Sequence, residues 1–554
     1  MGHPRFPAGI FYAESQDEVI EAVNCANKAG YKVSPRGRGH SYQGLSSMDG
    51  YMVIDMSLMC NPDDFKPEDF EQPWLLGGGQ IAIGSIKSGS GCTNAVMLAY
   101  TADKFPEAGL YNIGSCPSVG ITGYATGGCQ GDTTPWVGLG IDDVLSYDIV
   151  LYDGTNVTAS AEEHEDLYWA LRGGGSGFGV ITSIETAIIG APKASSGFTF
   201  IGASYKQTQN EAREFLKRFQ DFLMPDLPIG SKEYKEKVRA TSAKFGGGAS
   251  FNTNSTEGTL GFSGLFLGSA DEARSTFAEA GLLDPDILVL DSSGFATLEF
   301  SSYVDAQLYI ICFNLGLSDY RWTEWVDPNR SYNETDNVYK VDICEDLGID
   351  SKYCYRNNVG YLIPNCYTGK DVILPALKSV AIKPQSWFNR PGPGRPGDNR
   401  VRTTWTGGLL YGRVDPDVLL EMANVGVSIG HFAHGAPTLV ERDETDYVGR
   451  EEYTLLDFCC GQASKESYDS ITSILVNKAY DGDASKLRGF YNYLNIEGNR
   501  NWRDYYFGDN YERLSVVKAM YDETNGFGNS LQVEPAPLSS KSGKGPNGEE
   551  TIFD

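Results

Sequence analysis

Histidine is the scarcest chemistry-bearing residue of this chain, with five in 554 residues. A histidine-built metal centre has little to draw on, and the one close pair, His431 and His434, has no evident third ligand. Positive charge is also in short supply: 45 Lys and Arg face 73 Asp and Glu, a formal charge of −28. So acidic a surface repels nucleic acid and anionic membranes and suits a neutral substrate better than an anionic one. No run of about 18 apolar residues occurs, so nothing is long enough to span a bilayer as a helix. No internal repeat at a fixed period is found. The Gly-x-Gly-x-x-Gly spacing of a dinucleotide-binding turn is missing too, because in Gly37-Arg38-Gly39-His40-Ser41-Tyr42 a tyrosine stands at the third glycine.

What is present describes a folded protein, 41% hydrophobic and 12% aromatic, and 554 residues exceed what one core usually supports, so two domains are expected. Ser15-Gln-Asp-Glu18 reads as a capping box, followed by Val19, Val23 and Ala26 on one face and a stop at Gly30. Strands are expected at 32–34, 51–56, 74–76 and 145–152, the last ending at the Asp153-Gly154 turn. A small-residue connector near 188–196 marks a domain boundary, after which 208–223 is an amphipathic helix with Ala212, Phe215, Leu216, Phe219 and Leu223 on one side. Further β-rich runs are expected at 259–266, 307–315 and 403–412. Pro391 to Gly397 is a candidate lid or rim loop, and the residues from about Val533 read as a tail with little reason to be ordered. Gly426-Val-Ser-Ile-Gly430 matches a nucleophile elbow, but that elbow needs a strand before the serine and a helix after it, and here a helix at 416–422 comes first.

Two loops carry the functional signal. Gly114 to Gly131 holds six glycines in eighteen residues, with Cys116 braced by Pro117, and Arg36 to Ser41 alternates arginine with glycine and ends on His40 and Ser41. Successive exposed N–H groups and two guanidinium groups suit a phosphate-bearing ligand approached closely by backbone. Arg36-Gly-Arg-Gly-His-Ser41, Gly114-Ser-Cys-Pro-Ser-Val-Gly120, Asp166 to Val180 and the ending Tyr505 to Leu514 with Val517-Lys518 and Tyr521 to Phe527 resemble the vanillyl-alcohol-oxidase superfamily of PCMH-type FAD proteins. Within it the chain is most similar to the berberine-bridge-enzyme-like branch that includes fungal oligosaccharide oxidases.

The resemblance implies an α+β fold: a two-subdomain FAD-binding domain from 1–190 and 486–532, an inserted substrate domain over 191–485 on an antiparallel sheet covered by helices, and a tail at 533–554. It implies bicovalently attached FAD, with His40 bonded to the 8α-methyl and Cys116 to ring carbon 6. Arg36, Gly37, Arg38, Gly39 and Ser41 would serve the pyrophosphate. Gly120, Gly123, Gly127, Gly128, Gly131, Gly179 and Val180 would lie along the cofactor, as would Tyr124, which stands where relatives often carry histidine. Cys129, at the third place of the usual Gly-Gly-Gly, has to point away from the cofactor or narrow the site. Val119 holds the position where relatives with valine tend to admit dioxygen. Tyr493, in Phe490-Tyr-Asn-Tyr493, would be the catalytic base, and no acidic partner for it is found between Glu421 and Glu441. A phenol with a reference pKa near 10 needs such help.

The expected activity is oxidation of the anomeric hydroxyl of a mono- or oligosaccharide to a lactone, with hydride passing to flavin N5 and O2 reduced to H2O2. Tryptophans such as Trp387 and Trp405 make a sugar cleft possible. The alternatives are the same machinery on a secondary-metabolite alcohol or amine, or a flavin protein whose site has lost turnover. The expected partners are a neutral sugar and O2, with no nucleic acid, no membrane, no metal and a monomeric chain. Four Asn-x-Ser/Thr sites, at Asn156, Asn254, Asn329 and Asn333, and eleven cysteines point to secretion. Setting Cys116 aside leaves ten for disulfides, with Cys344 to Cys354 a guess from proximity. The N-terminus lacks a basic and apolar signal segment, and relatives carry a longer lead, so processing or truncation of a precursor is expected.

Overall fold

The computed structural model describes residues 5–41, 44–76, 80–106, 109–114, 119–190, 197–228, 231–253, 258–284, 290–314, 332–333, 338–339, 354–356, 362–364, 406–410, 412–424, 428–433, 437, 440–450, 454–459, 465–489, 491, 501–529, 531–537, 542–544 and 550–552. Cys116, Cys344, Trp387, Trp405, His434, Phe490, Tyr493, the segment Pro391 to Gly397 and the glycosylation sites Asn254 and Asn329 lie outside the described residues.

Helix Gln16–Lys28 forms where the cap predicts it. Ser15 Oγ accepts from the Glu18 amide, Glu18 Oε2 accepts from the Glu14 amide at 2.8 Å, and Gly30 ends the helix at φ +75°. Its buried Val19, Ala22, Val23 and Ala26 pack on a parallel three-stranded sheet ordered Gly9–Tyr12, Met52–Asp55, Val33–Arg36. Phe527, from the far end of the chain, closes that core.

A second sheet is ordered Lys66–Leu75, Ile81–Gly89, Val180–Gly190, Val144–Val150, Asn156–Ser160 through antiparallel pairs, with Gly109–Leu110 added beside Val180–Gly190. Its inner strands are largely apolar and buried, as strands covered on both faces must be, whereas Lys66–Leu75 is an exposed edge. Helices Asn94–Lys104 and Glu165–Leu171 join the same core.

The middle of the chain builds an eight-stranded antiparallel sheet in the order Leu290–Phe300, Phe198–Gln207, Gly258–Leu267, Phe245–Thr253, Ser428–Ala433, Thr454–Cys459, Thr406–Leu410, Arg488–Gly489. Helices Gln209–Leu223, Ala270–Glu279 and Pro416–Asn424 cover it. Rings of Phe215, Phe219, Phe222, Phe245, Phe262 and Phe277 interlock between sheet and helices with centroids 5.3 to 6.5 Å apart. The fold is therefore α+β, as the motifs implied. Ser428 opens a strand that follows a helix, the reverse of an elbow.

Three expectations are corrected. The run 307–315 is not a strand: Tyr303–Asn314 is a helix, started by Ser302, whose Oγ accepts from the Asp305 amide at 3.2 Å. A short, largely apolar run carries no period that tells helix from strand. Of the expected tail, residues 533–537, 542–544 and 550–552 are described, and the first of them are packed. Leu531 and Val533 are buried beside Leu514 and Val517, the Ala536 amide bonds the Ser515 carbonyl at 2.9 Å, and Ser542–Lys544 pairs with Glu550–Ile552. Nor are ten cysteines available for disulfides. Cys60 is bonded to Cys92, while Cys25 is an exposed thiol and Cys129 a buried one. Cys129 sits at φ +64° with its sulfur packed toward Gly140.

The C-terminal return is held by an ion pair out of water. Lys518 and Asp522 are both fully buried, with Nζ and Oδ2 2.5 Å apart. Removing one member of such a pair strands the other charge, so Lys518→Ala is expected to cost about 3–5 kcal/mol in denaturant unfolding. Lys478→Ala, which breaks an exposed pair with Glu421, is expected to cost about 1 kcal/mol or less. Equal costs would contradict this account.

Candidate functional site

Strand Val33–Arg36 runs into the loop Gly37 to Ser41 at the mouth of a cavity of about 250 Å³. The opposite wall is the turn Val119 to Tyr124, held in place by main-chain bonds to the segment after the disulfide. The Asn94 amide reaches Val119 O at 3.0 Å, the Ile121 amide reaches Cys92 O at 3.1 Å, and Thr122 Oγ1 gives to Ser90 O at 2.7 Å. The two loops touch directly: a Cβ on Gly120 would stand 3.0 Å from Arg38 Cγ, so only glycine lets them close. Gly528 and Asn529 close the cavity from the C-terminal return, and Ser176 and Tyr491 complete it.

Arg38 is the cation of this wall. It is 5% exposed, its Nε gives to the Gly91 carbonyl at 2.5 Å, and burial pushes its pKa down to about 10 against the pull of Asp55. The guanidinium stays charged at neutral pH, in low-dielectric surroundings where an anion is strongly attracted. Arg36 is used differently. It pairs with Asp55 at 3.0 Å and gives to Ser47 Oγ at 2.6 Å, folded over Gly39, which is at φ +68°. It builds the loop and does not line the cavity.

His40, Gly37, Gly39, Ser41, Val119, Gly120, Gly123 and Tyr124 all face the cavity with Arg38. Ser41 Oγ also accepts from the Leu45 amide at 3.1 Å, which fixes the loop's far end. Around a Cβ placed on Gly123 nothing lies within 4 Å, an open face on the cavity side. Tyr124 lies over Gly114, whose Cβ position is 3.5 Å from the ring.

Gly127, Gly128, Gly131, Gly179 and Val180 are placed elsewhere. Gly131 presses on the Ile113 carbonyl, Gly179 on strand Val144–Val150, Gly128 adopts φ +137°, and Val180 is buried in the core of the small sheet. Cys129 points toward Gly140 and does not enter the cavity.

Among the lining residues without a role in the sequence reading are Asn94, Gln130, Tyr491 and Asn529. Tyr491 stood inside the tyrosine motif and Asn529 two residues past the last quoted C-terminal position, so nearness to a motif was the available signal. Burial pushes the Tyr491 phenol up to about 12, partly opposed by its hydrogen bond to Asn529. It is a neutral donor at any ordinary pH.

The donor set fits FAD. A buried guanidinium and glycine amides suit a pyrophosphate, Gly123 leaves room for a flat ring to lie on backbone, and His40 stands in the wall. Among the described residues there is no cluster able to hold a metal and no helix long and apolar enough to cross a membrane.

Comparison with known proteins agrees. Residues 7–160 match the FAD binding domain, and residues 489–534 match the berberine and berberine-like domain. The chain is 24% identical over 547 residues to a glucooligosaccharide oxidase of Sarocladium strictum, covering 96% of this chain and 87% of that one. It is 33% identical over 191 residues to a xylooligosaccharide oxidase of Thermothelomyces thermophilus, covering 34% of this chain and 35% of that one. A solved glucooligosaccharide oxidase from Acremonium strictum, whose cofactor is a 6-S-cysteinyl, 8α-N1-histidyl FAD, superimposes with a TM-score of 0.63 at 18% identity, over 96% of this chain and 93% of that one. The chain thus carries a match to the FAD binding domain near one end and to the berberine and berberine-like domain near the other, and shares the fold of the solved oxidase over 96% of its length.

Proposed function

We propose that the protein is a secreted oxidase that takes the anomeric hydroxyl of a neutral mono- or oligosaccharide to a lactone and releases H2O2. The observation that carries this reading is that similarity to a glucooligosaccharide oxidase runs through 96% of the chain, so it includes the eight-stranded unit as well as the cofactor unit. FAD supplies the hydride acceptor and the reaction with O2. The rest falls to the chain's own residues.

Arg38 and the amides of the Gly37 to Ser41 loop hold the pyrophosphate, and His40 and Cys116 anchor the ring covalently. Val119 keeps the wall beside the ring low enough for O2. Tyr493 takes the hydroxyl proton at its phenolic oxygen, and the unit over 191–485 receives the sugar. Tyr491 is unsuited to the base's role, because burial holds its proton.

Secretion draws support from the Cys60 to Cys92 disulfide and from Asn156, exposed within its Asn-x-Thr site on an edge strand. A second reading, oxidation of a secondary-metabolite alcohol or amine, is favoured by the berberine-like match at 489–534.

Three outcomes test these statements. In an anaerobic panel, a neutral oligosaccharide is expected to bleach the flavin absorbance while aromatic alcohols and alkaloids leave it unchanged; the opposite pattern selects the second reading. Tyr493→Phe is expected to slow that bleaching by roughly two to four orders of magnitude, the usual worth of a general base, with the flavin still attached. An unaltered rate removes Tyr493 from the reaction. Tryptic peptides containing His40 and Cys116 are expected to carry the flavin in mass spectra of the yellow protein, and two unmodified peptides would end the bicovalent proposal.

A further inference from the structure

The disulfide lies directly behind the cavity and does more there than close a stretch of chain. Cys60 and Cys92 are 32 positions apart, and both are buried, at 8% and 0% exposure. Cys92 belongs to the link Ser90 to Thr93, which joins strand Ile81–Gly89 to helix Asn94–Lys104. Successive carbonyls of that link are taken by the two cavity loops. Ser90 O accepts from Thr122 Oγ1 at 2.7 Å, Gly91 O from Arg38 Nε at 2.5 Å and Cys92 O from the Ile121 amide at 3.1 Å. Thr93 pairs with Gly120 as an antiparallel bridge, and the Asn94 amide bonds Val119 O at 3.0 Å. Arg38, Asn94, Val119, Gly120 and Thr122 all line the cavity.

The link's other side chains do not fasten it to the layer behind. Gly91 has none, Ser90 Oγ is buried with no hydrogen-bond partner, and Thr93 Oγ1 serves the Val96 amide of the helix it caps at 3.4 Å. Main-chain bonds run from the Ser90 amide to Thr182 O at 3.1 Å and from the Gly91 amide to Met59 O at 3.2 Å. The Cys92 sulfur adds the covalent tie, to the residue after Met59. The turn Met56 to Cys60 is itself part of the site: Met56 lines the cavity, and its amide bonds Arg36 O at 2.9 Å. The two layers fit closely, for a Cβ on Gly91 would collide with Met56 O and one on Gly89 with Met59 O.

A cross-link acts by withdrawing conformational freedom from the chain. Here the freedom withdrawn is that of the carbonyl that orients the Arg38 guanidinium and of its neighbours, which fix the opposite turn. Without the bond the link can drift against the turn behind it, and a planar donor fork displaced by about 1 Å loses its match to a pyrophosphate.

We propose that the Cys60–Cys92 disulfide is a positioning device of the cofactor site: it fixes Gly91 O, and through it Arg38, so that the chain takes up and keeps FAD only with this bond closed. The proposal rests on the flavin reading of the cavity and deepens it, tying cofactor loading to an oxidising compartment. Closure passes two electrons and two protons from the two thiols to an external disulfide, which leaves as two thiols. The finished bond is shielded, because Cys92 is out of reach of a reductant until the chain opens locally.

The test uses the full chain as wild type, as Cys60→Ala/Cys92→Ala and as Gly91→Ala. Gly91→Ala keeps the disulfide and displaces the same carbonyl, because its Cβ has no room beside Met56 O. Flavin per chain is read from the visible absorbance of the purified protein, the setting of the ring from visible circular dichroism, and folding from far-UV circular dichroism and Tm. Both variants are expected to keep the far-UV signal of wild type, since the phenylalanine core and the Lys518 ion pair are untouched. Both are expected to hold flavin at no more than about a tenth of the wild-type level, the worth of one hydrogen bond to a charged group. The flavin that remains is expected to show altered visible circular dichroism. Wild-type chain synthesised with FAD and oxidised glutathione is expected to load, and the same synthesis in reduced glutathione to resemble the disulfide-free variant.

Wild-type flavin content and visible circular dichroism in the disulfide-free chain would overturn the proposal even if its Tm falls, because the bond then serves stability alone. Equal loading in oxidised and reduced glutathione would overturn it too. Should the disulfide-free chain fail to fold, Gly91→Ala decides by the same readings, and full flavin content with an unaltered spectrum counts against the proposal. A sugar panel that bleaches no flavin removes the oxidase reading by itself, while flavin content still decides the role of the disulfide.

Discussion

One buried ammonium holds the cavity's far wall in place. Lys518 Nζ reaches Asp522, the Gly177 carbonyl and, at 3.4 Å, the Phe527 carbonyl, while Asp522 takes the amides of Gly526 and Phe527 at 2.7 and 2.9 Å. A helix, the glycine run after it in space and the closing segment thus share a single ion pair. From there the chain joins the first sheet: the Val33 amide bonds the Gly526 carbonyl at 2.7 Å, and the Gly528 amide bonds the Val33 carbonyl at 3.1 Å. Val33 opens the strand that leads into Arg36 to Ser41. The loop with His40 and the wall with Asn529 are therefore set by the same few bonds, although nearly 500 residues of chain separate them. The eight-stranded unit keeps a phenylalanine core of its own around Phe215, Phe262 and Phe277, while Phe198, Phe200 and Leu265 of its strands join the core of the cofactor unit.

Glycine shows where the sequence was legible and where it was not. A cluster of glycines near a thiol announced a close approach of backbone, but composition cannot say what approaches. In the fold the same residue type does two jobs. Gly123 faces open space on the cavity, while Gly131 and Gly91 are pressed against carbonyls of their own protein, where any side chain would collide. The arginines divide likewise. Arg36 and Arg38 are two residues apart in one motif, a spacing that would share a face along a strand, yet the strand ends at Arg36, which pairs with Asp55, and the loop after it turns Arg38 to the cavity. Elements with a local code were readable from few residues: Thr208 caps a helix whose Glu211 returns a bond to the Thr208 amide. Elements defined only by burial were not. Helix Tyr303–Asn314 is apolar on every side, and Val533 reads as part of a polar tail until Leu514 and Val517 are seen beside it.

The distribution of charge explains how so acidic a chain can bind an anionic cofactor. Its carboxylates are chiefly on the surface, and those inside are either paired with a cation, as Asp55 is with Arg36, Asp142 with Arg450 and Asp522 with Lys518, or raised by burial, Asp132 to about 6 and Asp143 and Asp446 well above the ordinary carboxylate range. Arg38 is left as an intact cation in the cavity wall. The local field there is thus opposite in sign to the net charge of the molecule, and low-dielectric surroundings let one guanidinium outweigh distant, solvated carboxylates screened within about 10 Å of salt water. On the proposed function a neutral sugar would meet no opposing charge on the way in, and loss of a proton and a hydride would leave it neutral again, so such a site would need a base and an acceptor but no counter-ion for substrate. That is the division the residues show: positive charge beside the glycine loops and a neutral phenol in the opposite wall.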